Sequence, residues 1–254
     1  DQTGALVGVE FLTDLQGARA YPNTVFIMAG GFGTRLRPLT DNCPKPMLPI
    51  GDKPMLQRLI ERFRDQGFSK FVLSLHFLPQ VIKDHFGDGS EYGVSIEYVY
   101  EDSPLGTAGA LSMLPDSHRQ HPVLIINGDI LTQMNFANLI EFHNDQQGAA
   151  TMCVREYGYQ VPYGVVMHEG RRIVSIDEKP TFRHYVNAGI YVLSPSALAP
   201  VVGQPIDMPE LFDQVAIDGG ESFVYPVHEY WLDIGRMDDF KKAQSDLFHF
   251  EVSP

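Results

Sequence analysis

Hydrophobic positions change rhythm along the chain, and the changes mark its elements. Residues 24–28 form a short apolar run that stops at Ala29-Gly30-Gly31, the pattern of a buried strand leaving a sheet. Residues 54–66 then place Met55, Leu56, Leu59, Ile60 and Phe63 on one helical stripe, and Gly67 supplies the stop. The alternation continues with a strand at 71–76, a short helix at 81–86, a strand at 94–100 and a small-residue helix at 106–114. A strand at 123–126 runs into Asn127-Gly128-Asp129, and a helix at 136–146 and a strand at 149–154 follow. Strands separated by helices predict βαβ units, hence an α/β fold with a mainly parallel sheet covered on both faces.

The second half reads differently. Residues 163–167 and 172–176 flank His168-Glu169-Gly170-Arg171, a hairpin signal. A strand at 186–193, a helix at 209–216, a strand at 223–227 and a closing helix at 236–248 complete the pattern. Asp238 and Asp239 stand early in that last helix, where they suit its dipole. There is no internal repeat, so one domain is expected over residues 23–254. Residues 1–22 fit it poorly and read as an N-terminal arm.

Composition narrows the function classes. Of 254 residues, 44% are hydrophobic and 20% charged, which excludes a disordered or low-complexity chain. Nineteen basic residues against 32 acidic ones give a net charge of −13, which argues against a nucleic-acid binder. No run of about 18 apolar residues exists to cross a membrane, and the acidic start does not read as a signal peptide. Two cysteines, Cys43 and Cys153, point to a reducing compartment, and a cytoplasmic enzyme is expected.

The chemistry concentrates in Ala29-Gly30-Gly31-Phe32-Gly33-Thr34-Arg35-Leu36-Arg37. Three glycines directly after a strand let backbone N–H groups converge on an anion. A dinucleotide fingerprint would need glycine where Leu36 stands, and a P-loop would need Gly-Lys-Ser/Thr, so both are excluded. Arg35 and Arg37 follow the turn instead, and Lys45 lies between Pro44 and Pro46. An Arg fork and a Lys point charge together suit a triphosphate.

Asp129 follows an apolar strand, where open α/β sheets place their ligands. Asp233 comes 104 residues later, in Trp231-Leu232-Asp233-Ile234-Gly235. Each alone reads as an ordinary turn or cap aspartate; together with a triphosphate they could hold one Mg²⁺, which takes few carboxylates and fills its shell with phosphate oxygens and water. No His/Cys cluster suggests zinc. Glu178-Lys179 alone reads as an exposed charged pair.

These segments, in this order, resemble the signatures of the sugar-phosphate nucleotidylyltransferases, with the mannose-1-phosphate guanylyltransferase-like members nearest in wording. The resemblance covers about residues 24–245 and includes Pro104-Leu105-Gly106-Thr107-Ala108-Gly109, Tyr163-Gly164-Val165, Glu178-Lys179-Pro180 and Val186-Asn187-Ala188-Gly189. It implies a Rossmann-like, GT-A-like nucleotide-diphospho-sugar transferase fold. It also implies transfer of a nucleotidyl group from an NTP to a sugar 1-phosphate, with Mg²⁺ on Asp129 and Asp233. Nucleotide contacts are implied for Ala29, Gly30, Gly31, Gly33, Thr34, Arg35, Lys45, Glu101, Gly106 and Thr107. Sugar-phosphate contacts are implied for Gly164, Glu178, Lys179 and Asn187, and catalytic roles for Arg35, Lys45, Asp129 and Lys179.

Glu101, three residues before Pro104, stands where the family faces the base. A carboxylate offers two acceptors, matching the adjacent N1–H and N2–H donors of guanine, whereas the carbonyls of uracil and thymine would repel it. GTP is therefore the expected donor, with CTP, UTP or dTTP as alternatives. Rival readings are a glycosyltransferase of similar fold, against which Arg35 and Lys45 argue, and a non-catalytic nucleotide-sugar-binding regulator. Gly4-Ala5-Leu6-Val7-Gly8-Val9 with Thr13-Asp14-Leu15 resembles the closing strand and helix start of a CBS (cystathionine-β-synthase-type) regulatory domain. The sugar is not named by the sequence, and the oligomeric state, a homo-oligomer included, is left open.

Overall fold

The computed structural model describes residues 19–201 and 203–247; the CBS-like stretch and the expected helix end at Phe248 lie outside them. The apolar run after the arm becomes strand β1 (Tyr21–Met28), starting two residues before the expected domain. Two short pieces follow, β2 (Pro49–Ile50) and β3 (Lys53–Pro54), then helix α1 (Met55–Asp65). β4 (Phe68–Leu75), α2 (Pro79–Phe86) and β5 (Ser95–Tyr100) come next. The expected helix at 106–114 is α only over α3 (Gly106–Gly109) and tightens to a 3-10 turn over Ala110–Met113. Then come β6 (Val123–Asn127), β7 (Ile130–Thr132), α4 (Phe136–Gln146), β8 (Ala150–Gln160) and the hairpin β9 (Gly164–Glu169) and β10 (Arg172–Glu178). β11 (Thr181–Leu193), α5 (Pro195–Leu198), α6 (Met208–Ile217), β12 (Ser222–Pro226), β13 (Trp231–Asp233) and α7 (Met237–Ser245) close the chain.

Seven strands form the central sheet in the order β12-β8-β11-β6-β1-β4-β5. β6, β1, β4 and β5 run parallel, and β11 is antiparallel to both neighbours, so the sheet is mixed and mainly parallel as expected. One face buries Leu56, Phe63 and Phe136, with Phe63 stacked on Phe136 at 3.7 Å between ring centres. The other face buries Met208 and Leu211 of α6 against Phe26 and Tyr191. A third cluster of Leu36, Ile50, Met55 and Ile234 lies under the glycine turn. Leu36, which breaks the dinucleotide pattern, is thus the apolar anchor that holds the turn to the body. Among the described residues no helix is long and apolar enough to cross a membrane.

One buried polar network ties α4 to the sheet. His143 shares Nδ1 with the Thr151 hydroxyl and Nε2 with that of Ser194, both at 2.9 Å. Burial pushes its imidazole down to about 4, so it is neutral in the folded chain. The unfolded chain, with an ordinary histidine near 6.5, takes up a proton that the folded chain refuses. Stability therefore is full above about pH 6.5 and falls as pH drops towards about 4, with roughly 2 kcal/mol lost by pH 5. Thermal unfolding at about pH 5 and pH 7.5 should show this gap in the wild type and a much smaller one in His143→Gln; equal gaps would refute it.

Candidate active site

The four parallel strands end at one rim, and each delivers a functional segment there. β1 leads into Ala29-Gly30-Gly31, β4 into His76, β5 into Glu101, and β6 runs through Asn127 to Asp129. These segments line a cleft of about 310 Å³, closed on its other side by Lys45, Pro46, Pro104 and Thr107. A second cleft of about 350 Å³ shares Thr107 and Asn127 with the first and is lined by Asn187, Asp207, Trp231 and Asp233. Two adjoining clefts at the carboxyl ends of parallel strands can hold two reactants side by side.

Local chemistry explains the first cleft. Gly30 packs so closely that a Cβ would lie 3.1 Å from Glu101 Oε1 and 3.2 Å from His76 Cβ. Gly33 has φ of +61°, and a Cβ there would meet Lys45 Cβ at 2.9 Å. Thr34 and Arg35 begin the 3-10 turn that follows and are exposed. Lys45 is 8% exposed, held by the turn over Lys45–Met47, and its ammonium pairs with Asp129 Oδ2. Arg35 makes no ion pair among the described residues; its guanidinium lies beside Gly235, close enough to favour the Asp233 carboxylate.

Strand pairing brings the two predicted metal ligands together. β13 runs antiparallel to β7 with Asp233 opposite Ile130, and Ile234 N–H donates to the Asp129 carbonyl at 3.1 Å. Burial, then the Asp129 charge, hold the Asp233 carboxyl above its usual range, although Lys45 and Arg35 oppose this. Asp129 Oδ1 is buried without a hydrogen-bond partner. An orphaned carboxylate oxygen next to a second acid could seat a cation, since unpartnered buried acceptors are costly. Two carboxylates suit Mg²⁺ that also takes phosphate oxygens, and among the described residues no group of three acids, histidines or cysteines forms a closed metal cage.

Other predicted residues do structural work as well. The Glu101 carboxylate accepts from the Ser74 hydroxyl at 2.5 Å and from Leu105 N–H at 3.0 Å, which leaves free lone pairs on both oxygens. Gly106 lies against Ile206 and Asp207, where a Cβ would sit 2.6 Å from the Ile206 carbonyl. The Thr107 hydroxyl donates to Asp207 Oδ1 at 3.1 Å and accepts from Met208 N–H at 2.8 Å, which fastens α3 to the start of α6. Asn187 lines the second cleft; its oxygen accepts from Gly189 N–H at 2.8 Å and its amide donates to Tyr191 Oη at 2.7 Å.

Gly164, Glu178 and Lys179 are not brought to either cleft. Gly164 faces Glu178 across the β9–β10 ladder, and all three are exposed on the projecting hairpin. Sequence reasoning missed Ser74, His76, Asp207 and Trp231 as site residues. Ser74 and His76 carried a usable signal, since they end a strand parallel to β1, and Trp231 stood in the motif that holds Asp233; Asp207 carried none before the pairing was known.

The fold and the rim define a nucleotide-handling α/β protein of the doubly covered, mixed-sheet kind. The chain matches the nucleotidyl transferase family model over residues 24–249, and it belongs to that family. It is 36% identical to a protein of Oryza sativa subsp. japonica named probable mannose-1-phosphate guanylyltransferase 1, over 84% of this chain and 62% of that protein. It is 34% identical to the mannose-1-phosphate guanylyltransferase of Mycobacterium tuberculosis, over 87% of this chain and 63% of that one. The chain thus spans somewhat under two thirds of these relatives. Among solved structures, HddC from Yersinia pseudotuberculosis matches with a TM-score of 0.70 at 28% identity, over 89% of this chain and 99% of that one. The same protein complexed with GMP-PN matches with a TM-score of 0.69.

Proposed function

We propose that this chain transfers a guanylyl group from GTP to a sugar 1-phosphate, releasing pyrophosphate. The observation that carries the reading is the meeting, at one rim, of the glycine turn, the Lys45–Asp129 pair and the unpartnered Asp129 oxygen. The guanylyltransferases among its relatives, and the GMP-PN complex of HddC, support it.

The turn amides and Arg35 hold the departing β- and γ-phosphates. Lys45 stabilises charge at the α-phosphate, and Asn187 in the adjoining cleft contacts the sugar. The attacking phosphate oxygen is already ionised, so no general base is required, and positioning and fixed charge carry the acceleration. Asp129 and Asp233 would hold Mg²⁺, which when bound neutralises phosphate charge and aligns the two reactants. Glu178 and Lys179 would bind the sugar phosphate only if the hairpin comes over a cleft, its own or that of another copy.

Glu101 reads the base: its free lone pairs accept from guanine N1–H and N2–H. Pyrophosphate release should be measured with GTP, CTP, UTP and dTTP against a pool of sugar 1-phosphates, with and without Mg²⁺. Release with GTP and Mg²⁺ is expected. Glu101→Gln should raise KM for GTP by about 10–100-fold, the worth of a hydrogen bond to a charged group, with little change in kcat. An unchanged KM would discard Glu101 as the base reader, and silence with all four nucleotides would discard the transferase.

A further inference from the structure

Packing alone does not explain the hydroxyl of Ser74. The residue is wholly buried, the one polar side chain in the apolar stretch Phe71–Leu75 of β4. A buried hydroxyl without a partner is costly, and the partner of this one is Glu101, whose Oε1 accepts from Ser74 Oγ at 2.5 Å. The sheet leaves that hydroxyl little freedom. Ser74 stands opposite Met28 of β1 and Val99 of β5, and its carbonyl accepts from Ala29 N–H at 2.9 Å, at the start of the glycine turn. The same hydroxyl is one of four anchors on Glu101. The Glu101 N–H donates to the Leu75 carbonyl at 2.9 Å, its carbonyl accepts from His76 Nδ1 at 2.6 Å, and Oε2 accepts from Leu105 N–H at 3.0 Å. Glutamate has among the greatest rotamer freedom of any side chain, yet both its oxygens are tied here within the protein itself. Gly30 keeps the space beside Oε1 open, where a Cβ would come within 3.1 Å.

We propose that Ser74 is a positioning residue for base selection: it acts through Glu101 and sets how strictly guanine is chosen. This rests on Glu101 as the base reader. A tied carboxylate cannot turn away when one of guanine's two donors is missing. One oxygen is then left desolvated and unpaired, and the wrong base is penalised by what it fails to satisfy. A freed carboxylate turns that oxygen to water, and the penalty shrinks. Ser74 is the one anchor that fixes the carboxylate with a side chain. Its substitution therefore loosens the reader while the backbone bonds that place Glu101 at the rim stay intact.

Calorimetric titration of the full chain with GTP and with inosine triphosphate (ITP), both with Mg²⁺, tests this without an acceptor sugar. ITP keeps N1–H and lacks the 2-amino group. The wild type is expected to bind GTP about 10–100-fold more tightly than ITP, the worth of one hydrogen bond to a charged group. Ser74→Ala should lower that ratio by at least about fivefold, as the unpaired oxygen regains water. Ser74→Cys, which keeps a side chain of similar size and loses the strong donor, should do the same. On a Glu101→Ala background Ser74→Ala should leave the ratio unmoved, because the two residues act as one unit. Equal weakening of both nucleotides at an unchanged ratio would make Ser74 merely structural and overturn the proposal. Full recovery of the ratio in Ser74→Cys would overturn it too, since packing would then be the cause. A wild type with no preference for GTP would overturn the Glu101 reading and this proposal together. If far-ultraviolet circular dichroism shows Ser74→Ala unfolded, the cysteine variant decides.

Discussion

Asp129→Asn is expected to lower kcat/KM for pyrophosphate release by about 10³-fold, the upper range for removing one preorganised charge from a reacting centre. Asp129 performs two tasks with two oxygens: Oδ2 receives the Lys45 ammonium, and Oδ1 is buried without a partner. An asparagine can perform only one. If its NH₂ replaces Oδ1, the free acceptor at the centre of the rim is lost. If it turns the other way, the NH₂ faces the Lys45 ammonium and pushes it out of a site where it is only 8% exposed. Either orientation also removes a negative charge next to Asp233. The shape of the side chain is kept, so the melting temperature should change far less than the activity. Steady-state kinetics beside a thermal scan separate the two, and a variant keeping more than about a tenth of wild-type turnover would remove Asp129 from the reaction.

How far this site could be read in advance depends on which force placed each residue. Asp129 and the glycine turn lie just past buried apolar strands, and hydrophobic rhythm locates such strand ends directly. The pairing that carries Asp233 to Asp129 is different. β7 and β13 are three residues long and 99 or more residues apart in the chain, and so short a strand has no periodicity to detect. Only the family wording around Trp231 pointed there. The hairpin was legible from its turn signal, but alternation says only which residues share a face. It cannot say whether that face is covered; read alone, Glu178 and Lys179 were an exposed charged pair, as the structure has them, and only the family resemblance assigned them to the sugar phosphate. Glu101 shows a third case. Its place at a strand end was evident, yet its bonds to Ser74 and Leu105 join the ends of different elements and arise only once the sheet has formed.

Gly31 and Gly33 look alike in the sequence, two glycines of the one turn that follows β1, and the structure separates them sharply. Gly33→Ala is expected to destabilise the chain by about 3 kcal/mol, while Gly31→Ala should fall within about 0.5 kcal/mol of wild type. At Gly33 the backbone has φ of +61°, a left-handed conformation that costs an alanine about 1–2 kcal/mol. The added Cβ would also meet Lys45 Cβ at 2.9 Å and Thr40 Cγ2 at 3.0 Å. Thr40 is pinned, since its hydroxyl donates to the Gly33 carbonyl at 2.9 Å, so Lys45 has to give way. Displacing Lys45 pulls its ammonium from Asp129, and turnover should fall by about 100-fold. A Cβ at Gly31 meets nothing within 4 Å, so folding is indifferent to it. It does enter the cleft lining, so Gly31→Ala should act on KM for the nucleotide alone. Denaturant unfolding and kinetics on the two variants decide this together. Equal destabilisation by both would mean that the left-handed turn and its contact with Lys45 do not hold this site in place.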